Sequence, residues 1–360
     1  MNADYLKRRK AVAAEIRARG LDGLVVTNRA NWYYLTAFTG ESGALVVTAD
    51  RTTLVTDGRF TVQAKEETNG VKIELQKGSL YTAVGEFLRK EKLENFGFDP
   101  GQLTVAQWKA VRKGAGANCK SVEAGGIIEG LRRRKDAGEL AAMRKAAGLA
   151  DAVMERALKT LRPGMREREV GAEIEYHMHK LGASGPSFES IVASGSRAAL
   201  PHARPTSKRL RKNELVVLDL GVILGNYCSD MTRTVYLGRA PGRVRRWYKA
   251  VQEAQAAGVA AVKPGVTCGQ VDGAAREVLK KNGLAQFFVH STGHGLGLEV
   301  HEEPRVARGQ EFRLEPGNVI TVEPGVYVEG IGGIRIEDDV AVNAQGSEVF
   351  TRVKRDLIEL

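Results

Sequence analysis

Four carboxylates and two imidazoles set the chemical question. Asp219 and Asp230 lie in LVVLDLGVILGNYCSDMTRTVYL, Glu323 and Glu337 in ITVEPGVYVEGIGGIRIEDDVAV, and His294 and His301 in STGHGLGLEVHEEP. The first two stretches read as β-hairpins, because β-branched and aliphatic runs flank turns at Leu224–Asn226 and at Gly330. Folding the first about its turn brings Asp219 near Asp230. Folding the second brings Glu323 near Glu337. Cross-strand neighbours sit about 5 Å apart, and like charges there repel. Two such hairpins therefore need a compensating partner, either a shared proton, which raises one pKa, or a cation. Four carboxylates carry a formal −4, which two divalent ions neutralise. Oxygen ligands with one imidazole suit manganese, cobalt, iron or zinc. A lone strand aspartate is easily read as a solvated residue; four acids at matched hairpin positions are not. A helical reading of residues 219–230 also puts both acids on one face, but the β-branched and glycine content argues against it.

The histidines divide by context. His294 and His301 stand seven apart. In an unbroken strand that spacing puts them on opposite faces, and Gly293, Gly295 and Gly297 make a helix costly. The glycines are expected to bend the backbone so that both rings reach one cleft. His290 ends the apolar run FFVH and reads as a packed residue. His177 and His179 lie two apart on an expected helix, point different ways and read as surface residues. His202, in the loop ASGSRAALPHARPTS, says little alone.

These residues need elements to hold them. Helices are expected over residues 1–20, 81–92, 102–113 and from about 136 to 160, and strands over 21–27, 43–50, 52–58 and 95–99. Strands alternating with helices imply an N-terminal α/β domain with a mixed sheet. We place it at residues 1–128, with a second domain at 129–360. The second part carries a repeat. LRPGMREREVGAEIEYHMHKLG (161–182) matches VKPGVTCGQVDGAAREVLKKNG (262–283) at an offset of 101, and Asp219 falls on Glu323 at an offset of 104. Each unit is a Pro-Gly turn followed by a helix closed by glycine. Two similar halves follow, with a natural cleft between them.

Composition narrows the rest. The chain has 360 residues and 43% hydrophobic content, enough for a large core. It has no apolar run of about 18 residues, which argues against a membrane span, and no apolar signal core near its start. A cytoplasmic protein is expected. Cys119, Cys228 and Cys268 form no CxxC pair and no disulfide framework. The net charge of +11 is spread, with modest clusters at 132–135 and 208–212, and no basic-aromatic module accompanies it. No nucleic-acid partner is expected.

LDLGVILGNYCSDMTRT, STGHGLGLEVHEEP, ITVEPGVY and GGIRIEDD together resemble the creatinase/prolidase branch of the pita-bread metallopeptidases, alongside methionine aminopeptidase. NWYYLTAFTG and TDGRF resemble that branch's N-terminal domain less specifically. The resemblance implies an α/β N-terminal domain followed by an α+β pita-bread catalytic domain with a pseudo-twofold repeat. It implies two divalent metal ions, manganese first and cobalt or zinc as alternatives. Asp219 resembles the bidentate ligand of one metal, Asp230 and Glu337 the bridges, and His294 and Glu323 the ligands of the other. His202 and His301 match histidines lining the substrate site. The N-terminal domain and the LPHARP segment point to the proline-specific branch, hence to an exopeptidase for peptides with proline in second position. Glu323 would shuttle a proton, and His202 and His301 would steady the carbonyl oxygen. Arg305 matches an arginine that binds the proline carboxylate in some prolidases and favours an Xaa-Pro dipeptidase over an Xaa-Pro aminopeptidase. Arg335 shares a strand face with Glu337 and would bind substrate or orient ligands. A homodimer is implied, with NWYYLTAF as the segment to inspect for its contact. Non-catalytic binding modules share the fold, but they usually lack the metal ligands that are present here.

Overall fold

Short apolar runs bounded by turn residues build the first sheet. The computed structural model describes residues 4–360, and the chain divides into two compact units, Met1–Arg132 and Arg133–Leu360. In the first unit the strands are β1 (Gly23–Val26), β2 (Ala44–Thr48), β3 (Thr52–Thr56), β4 (Lys72–Leu75), β5 (Asn95–Phe98) and β6 (Lys120–Glu123). They form one sheet in the order β4-β3-β2-β1-β5-β6. β1 runs antiparallel to β2 and parallel to β5, so the sheet is mixed, as expected. Helices α1 (Tyr5–Ala18), α2 (Arg29–Thr36), α3 (Thr61–Glu67), α4 (Leu80–Lys90), α5 (Val105–Ala115) and α6 (Ile127–Arg132) complete the unit. The expected first helix is α1; its residues 1–3 lie outside the described residues. Sequence periodicity missed α2, because NWYYLTAF is nearly apolar all round. Trp32, Tyr34, Leu35 and Phe38 are each buried in the unit's own core.

The second unit opens with α7 (Ala137–Thr160) and α8 (Glu167–Lys180). Asp136 and Glu139 form a capping box that starts α7, and Met143, Ala146, Ala147, Ala150, Val153, Met154 and Ala157 make its buried face. Then come β7 (Gly185–Pro186), β8 (Ile191–Ser194), β9 (Glu214–Leu220), β10 (Val222–Leu224), β11 (Tyr227–Cys228) and β12 (Met231–Leu237). Helices α9 (Gly242–Ala261) and α10 (Cys268–Lys281) follow. The chain closes with β13 (Gly293–Gly295), β14 (Glu302–Val306), β15 (Val319–Val322), β16 (Gly325–Val328), β17 (Gly332–Arg335), β18 (Asp338–Asn343), β19 (Gly346–Val349) and β20 (Ile358–Glu359). The two main sheets have the orders β20-β12-β9-β8 and β14-β13-β15-β18-β19.

The repeat read from the sequence is structural. Gly164 and Gly265 both take positive φ, 96° and 83°, and so do the glycines that end α8 and α10, Gly182 and Gly283. Gly164 donates to the Leu210 carbonyl and Gly265 to that of Leu314, each at 2.8 Å. Arg209 and Arg313 donate back to the carbonyls of Gly164 and Gly265. This is the pseudo-twofold pita-bread arrangement of two α+β halves.

Candidate active site

The hairpin registers place the acids. β9 and β12 pair antiparallel with Thr232 opposite Asp219 and Met231 opposite Leu220, so Asp230 stands just beyond the ladder, diagonal to Asp219. In the second hairpin β16 pairs with β17 and β15 with β18, Gly325 opposite Arg335 and Val322 opposite Asp338. Both segments pivot on Gly330. Glu323 and Glu337 occupy the break between the segments, facing each other as the fold about Gly330 requires.

β13 and β14 form the third piece. The His294 and His301 rings meet edge-on with centroids 4.3 Å apart. Both rings reach one cavity, as expected of a glycine-rich stretch, and the glycines serve by permitting close backbone approach. Gly293, Gly295 and Gly297 are absent from the positive-φ residues; what they supply is closeness. A Cβ on Gly293 would lie 2.0 Å from the Thr321 carbonyl oxygen, and one on Gly295 would lie 2.3 Å from that of Glu303. Any side chain there would push the histidine strand off its neighbours. Glu302 is structural: it pairs with buried Lys135 at 3.0 Å.

Asp219, Asp230, His294, Glu323 and Glu337 line one cavity of about 260 Å³, with His202, His301 and Arg335. Ligand atoms of Asp230, His294 and Glu337 lie within 4.8 Å of one another. The His294 Nδ1–H donates to the Gly295 carbonyl at 3.0 Å, which leaves the Nε2 lone pair pointing at Asp230 and Glu323, 3.7 and 3.5 Å away. Burial pushes His294 down to about 4, so it is neutral at pH 7 and these contacts are not ion pairs. A neutral imidazole fixed through Nδ1 with a free Nε2 is the form that ligates a metal.

The carboxylates are in conflict without a cation. Burial pushes Glu323 up to about 8, despite the opposing pull of Arg335. Burial and the neighbouring acids push Asp230 and Glu337 well above the usual carboxylate range. Asp219 Oδ1 is buried with no partner among the described residues. Free oxygens, mutual repulsion and one aimed nitrogen all fit divalent ions. The cage is otherwise held by protein donors. Thr232 Oγ1 donates to Glu337 at 2.6 Å, and the Asp230 amide donates to Asp339 at 3.1 Å.

The two arginines singled out in the sequence, Arg335 for substrate or ligand orientation and Arg305 for the proline carboxylate, lie in different surroundings. The Arg335 guanidinium, 3% exposed, donates to Thr232 Oγ1, the Pro201 carbonyl, Tyr327 Oη and Asp219 Oδ2, the last at 2.6 Å. Four of its five N–H groups are committed, one of them to Asp219, which is the ligand-orienting arrangement of the two offered by the sequence. Arg305 is exposed on β14 and is not among the cavity's lining residues. His290 is packed as expected: its Nδ1 donates to the Ser291 carbonyl, so its Nε2 accepts from Tyr327 Oη at 2.9 Å. Sequence reasoning missed Tyr327 and Thr232, which hold Arg335 and Glu337, and Glu189 and Arg204, which also line the cavity. Only Arg204, two residues after His202, carried a usable signal.

A buried carboxylate cage with one nitrogen ligand, built from matching hairpins of two related halves, defines a metal-dependent hydrolytic site. The sequence matches metallopeptidase family M24 over residues 141–344 and the creatinase/prolidase N-terminal domain over residues 8–134. The Xaa-Pro dipeptidase of Pyrococcus furiosus is 36% identical over 343 residues, 94% of this chain and 95% of that one. The structure of the Xaa-Pro dipeptidase from Bacillus anthracis superposes with a TM-score of 0.96 at 36% identity, covering 99% of this chain and 100% of that one. That of the X-Pro aminopeptidase from Thermotoga maritima superposes with a TM-score of 0.89 at 34% identity, covering 96% and 100%. The chain belongs to metallopeptidase family M24. Among the described residues no helix is long and apolar enough to cross a membrane.

Proposed function

We propose that this metallopeptidase hydrolyses the Xaa-Pro bond of peptides with a free N-terminus, dipeptides in preference to longer chains. The observation that carries the reading is the convergence of Asp219, Asp230, His294, Glu323 and Glu337 with His202 and His301 in one cavity. Those five residues would hold two divalent ions, manganese first, which when bound would supply Lewis acidity and lower the pKa of water at neutral pH. Glu323 faces the reacting atoms and carries the proton to the proline nitrogen. His202 and His301 donate hydrogen bonds to the carbonyl oxygen as charge builds on it. Asp219 is kept in line by Arg335. The same reading takes residues 1–128 as the accessory domain, the assembly as a homodimer and the compartment as the cytoplasm.

The names of the relatives support proline specificity and divide on peptide length. The Thermotoga relative keeps an Xaa-Pro aminopeptidase as the second reading. Purified protein with each metal restored should cleave Ala-Pro faster than Ala-Pro-Ala. A tripeptide kcat/KM equal to or above that of the dipeptide overturns the dipeptide preference. Failure to cleave either, with metal bound, overturns the peptidase reading and leaves a binding module. A dipeptide preference requires a cation facing the proline carboxylate.

A further inference from the structure

We propose that Arg204 is that cation, held in reserve by Glu189 until a substrate carboxylate replaces the glutamate. The assignment rests on the Xaa-Pro reading of the cavity. A dipeptide brings a free carboxylate into a cavity whose floor is already crowded with acids, so a positive partner on the wall decides whether it stays. Two arginines are among the lining residues. Arg335 is buried and committed to the cage. Arg204 remains, and its side chain is 82% exposed.

The surroundings of Arg204 fix its base and leave its head free. Its carbonyl accepts from Arg197 Nη2 at 2.7 Å. Arg197 is itself paired at 3.0 Å with Glu167, whose side chain is fully buried. The backbone is therefore anchored beside His202. The guanidinium pairs with Glu189 at 3.1 Å, and Glu189 is also exposed, 56%, and also lines the cavity. An exposed ion pair of this kind contributes about 0–1 kcal/mol, so exchanging one carboxylate for another on Arg204 costs little. The guanidinium fork matches a carboxylate in two-point geometry. Arg305 offers the same fork from outside the lining.

The test compares Ala-Pro with its amide, Ala-Pro-NH2, which lacks the carboxylate charge. The ratio of their KM values is measured for the wild type and for Arg204→Met, Arg305→Met and Glu189→Gln, each with confirmed metal content and Tm. In Arg204→Met the ratio of the acid's KM to the amide's is expected to rise about tenfold, and in Glu189→Gln it should fall, because the competing carboxylate is gone. An unchanged ratio in Arg204→Met overturns the proposal. So does the rise appearing in Arg305→Met instead. If the wild type cleaves neither compound, the Xaa-Pro reading itself fails and this assignment fails with it; a wild type that cleaves both isolates the role of Arg204.

Discussion

At the residue scale the site is a matter of who orients whom. Asp219 offers one oxygen to Arg335 and leaves the other buried and unpartnered among the described residues. Arg335 is in turn fixed by Tyr327, whose hydroxyl donates to His290. Lysine at position 335 would keep the charge but lose the fork that reaches four acceptors at once. Arg335→Lys is therefore expected to lower metal affinity or activity by about 10- to 100-fold, the usual range for losing an outer partner of a metal ligand. Manganese titration by calorimetry checks the first and Ala-Pro turnover the second. Wild-type values for both would show that Asp219 needs no guanidinium to hold it. The four acids were legible in the sequence because hairpin folding makes like charges meet, whereas the ligand role of His294 came from the family resemblance. Tyr327 was not, since nothing in GVYV distinguishes a tyrosine that supports an arginine from one that packs. Arg305, assigned to the proline carboxylate by the resemblance, stands exposed on β14 outside the cavity's lining; its distance in sequence from His301 does not say which way a strand residue points.

Elements decide how the loops reach the cavity. Both acid-bearing hairpins could be folded on paper, because the alternation of their apolar residues fixes the register. The 194–206 loop that carries His202 could not, since its anchor lies far back in the chain. Glu167, the first residue of α8, accepts from Ser194 at one end of the loop and from Thr206 at the other, with Arg197 between them. Glu167→Gln keeps the shape but turns one acceptor into a donor facing donors. A loss of about 3 kcal/mol is expected from these bonds, which for a unit of this size lowers Tm by about 6–12 °C. The effect has a pH sign. Burial alone would raise the pKa of Glu167, but the bonds from Thr206 and Ser194 outweigh it and hold it below the ordinary 4.5. A carboxyl lowered in the folded state stabilises above its unfolded pKa, and the contribution fades as pH falls below it. The Tm gap between wild type and Glu167→Gln should thus be full at pH 7 and narrow below about pH 4.5. A gap that stays constant on acidification would mean that the carboxylate charge is not what holds the loop.

At the scale of the whole molecule the charge is concentrated against its own sign. A chain of net charge +11 buries four carboxylates in one cavity of the 133–360 unit. The duplicated layout was legible because the Pro-Gly turns and terminal glycines recur at a fixed offset. The depth of the cage was not, because burial depends on how two halves close over each other. Such a site should make folding depend on metal. Ions bound to the native state but not the unfolded one stabilise it by RT ln(1 + [L]/Kd), about 2.7 kcal/mol at a hundredfold excess over Kd. At about 2–4 °C per kcal/mol, chelation should lower the melting temperature of the catalytic unit by roughly 5–11 °C, and added manganese should restore it. The shift belongs to the unit holding the cage, so a separate transition of the N-terminal unit should stay where it is. Asp230→Ala, which removes a central ligand, should respond far less to either treatment. If chelation leaves the wild-type melting curve unmoved although metal analysis shows the ions gone, the buried acids are balanced by their own protons. Scanning calorimetry of the full chain, run before and after chelation, separates the two cases.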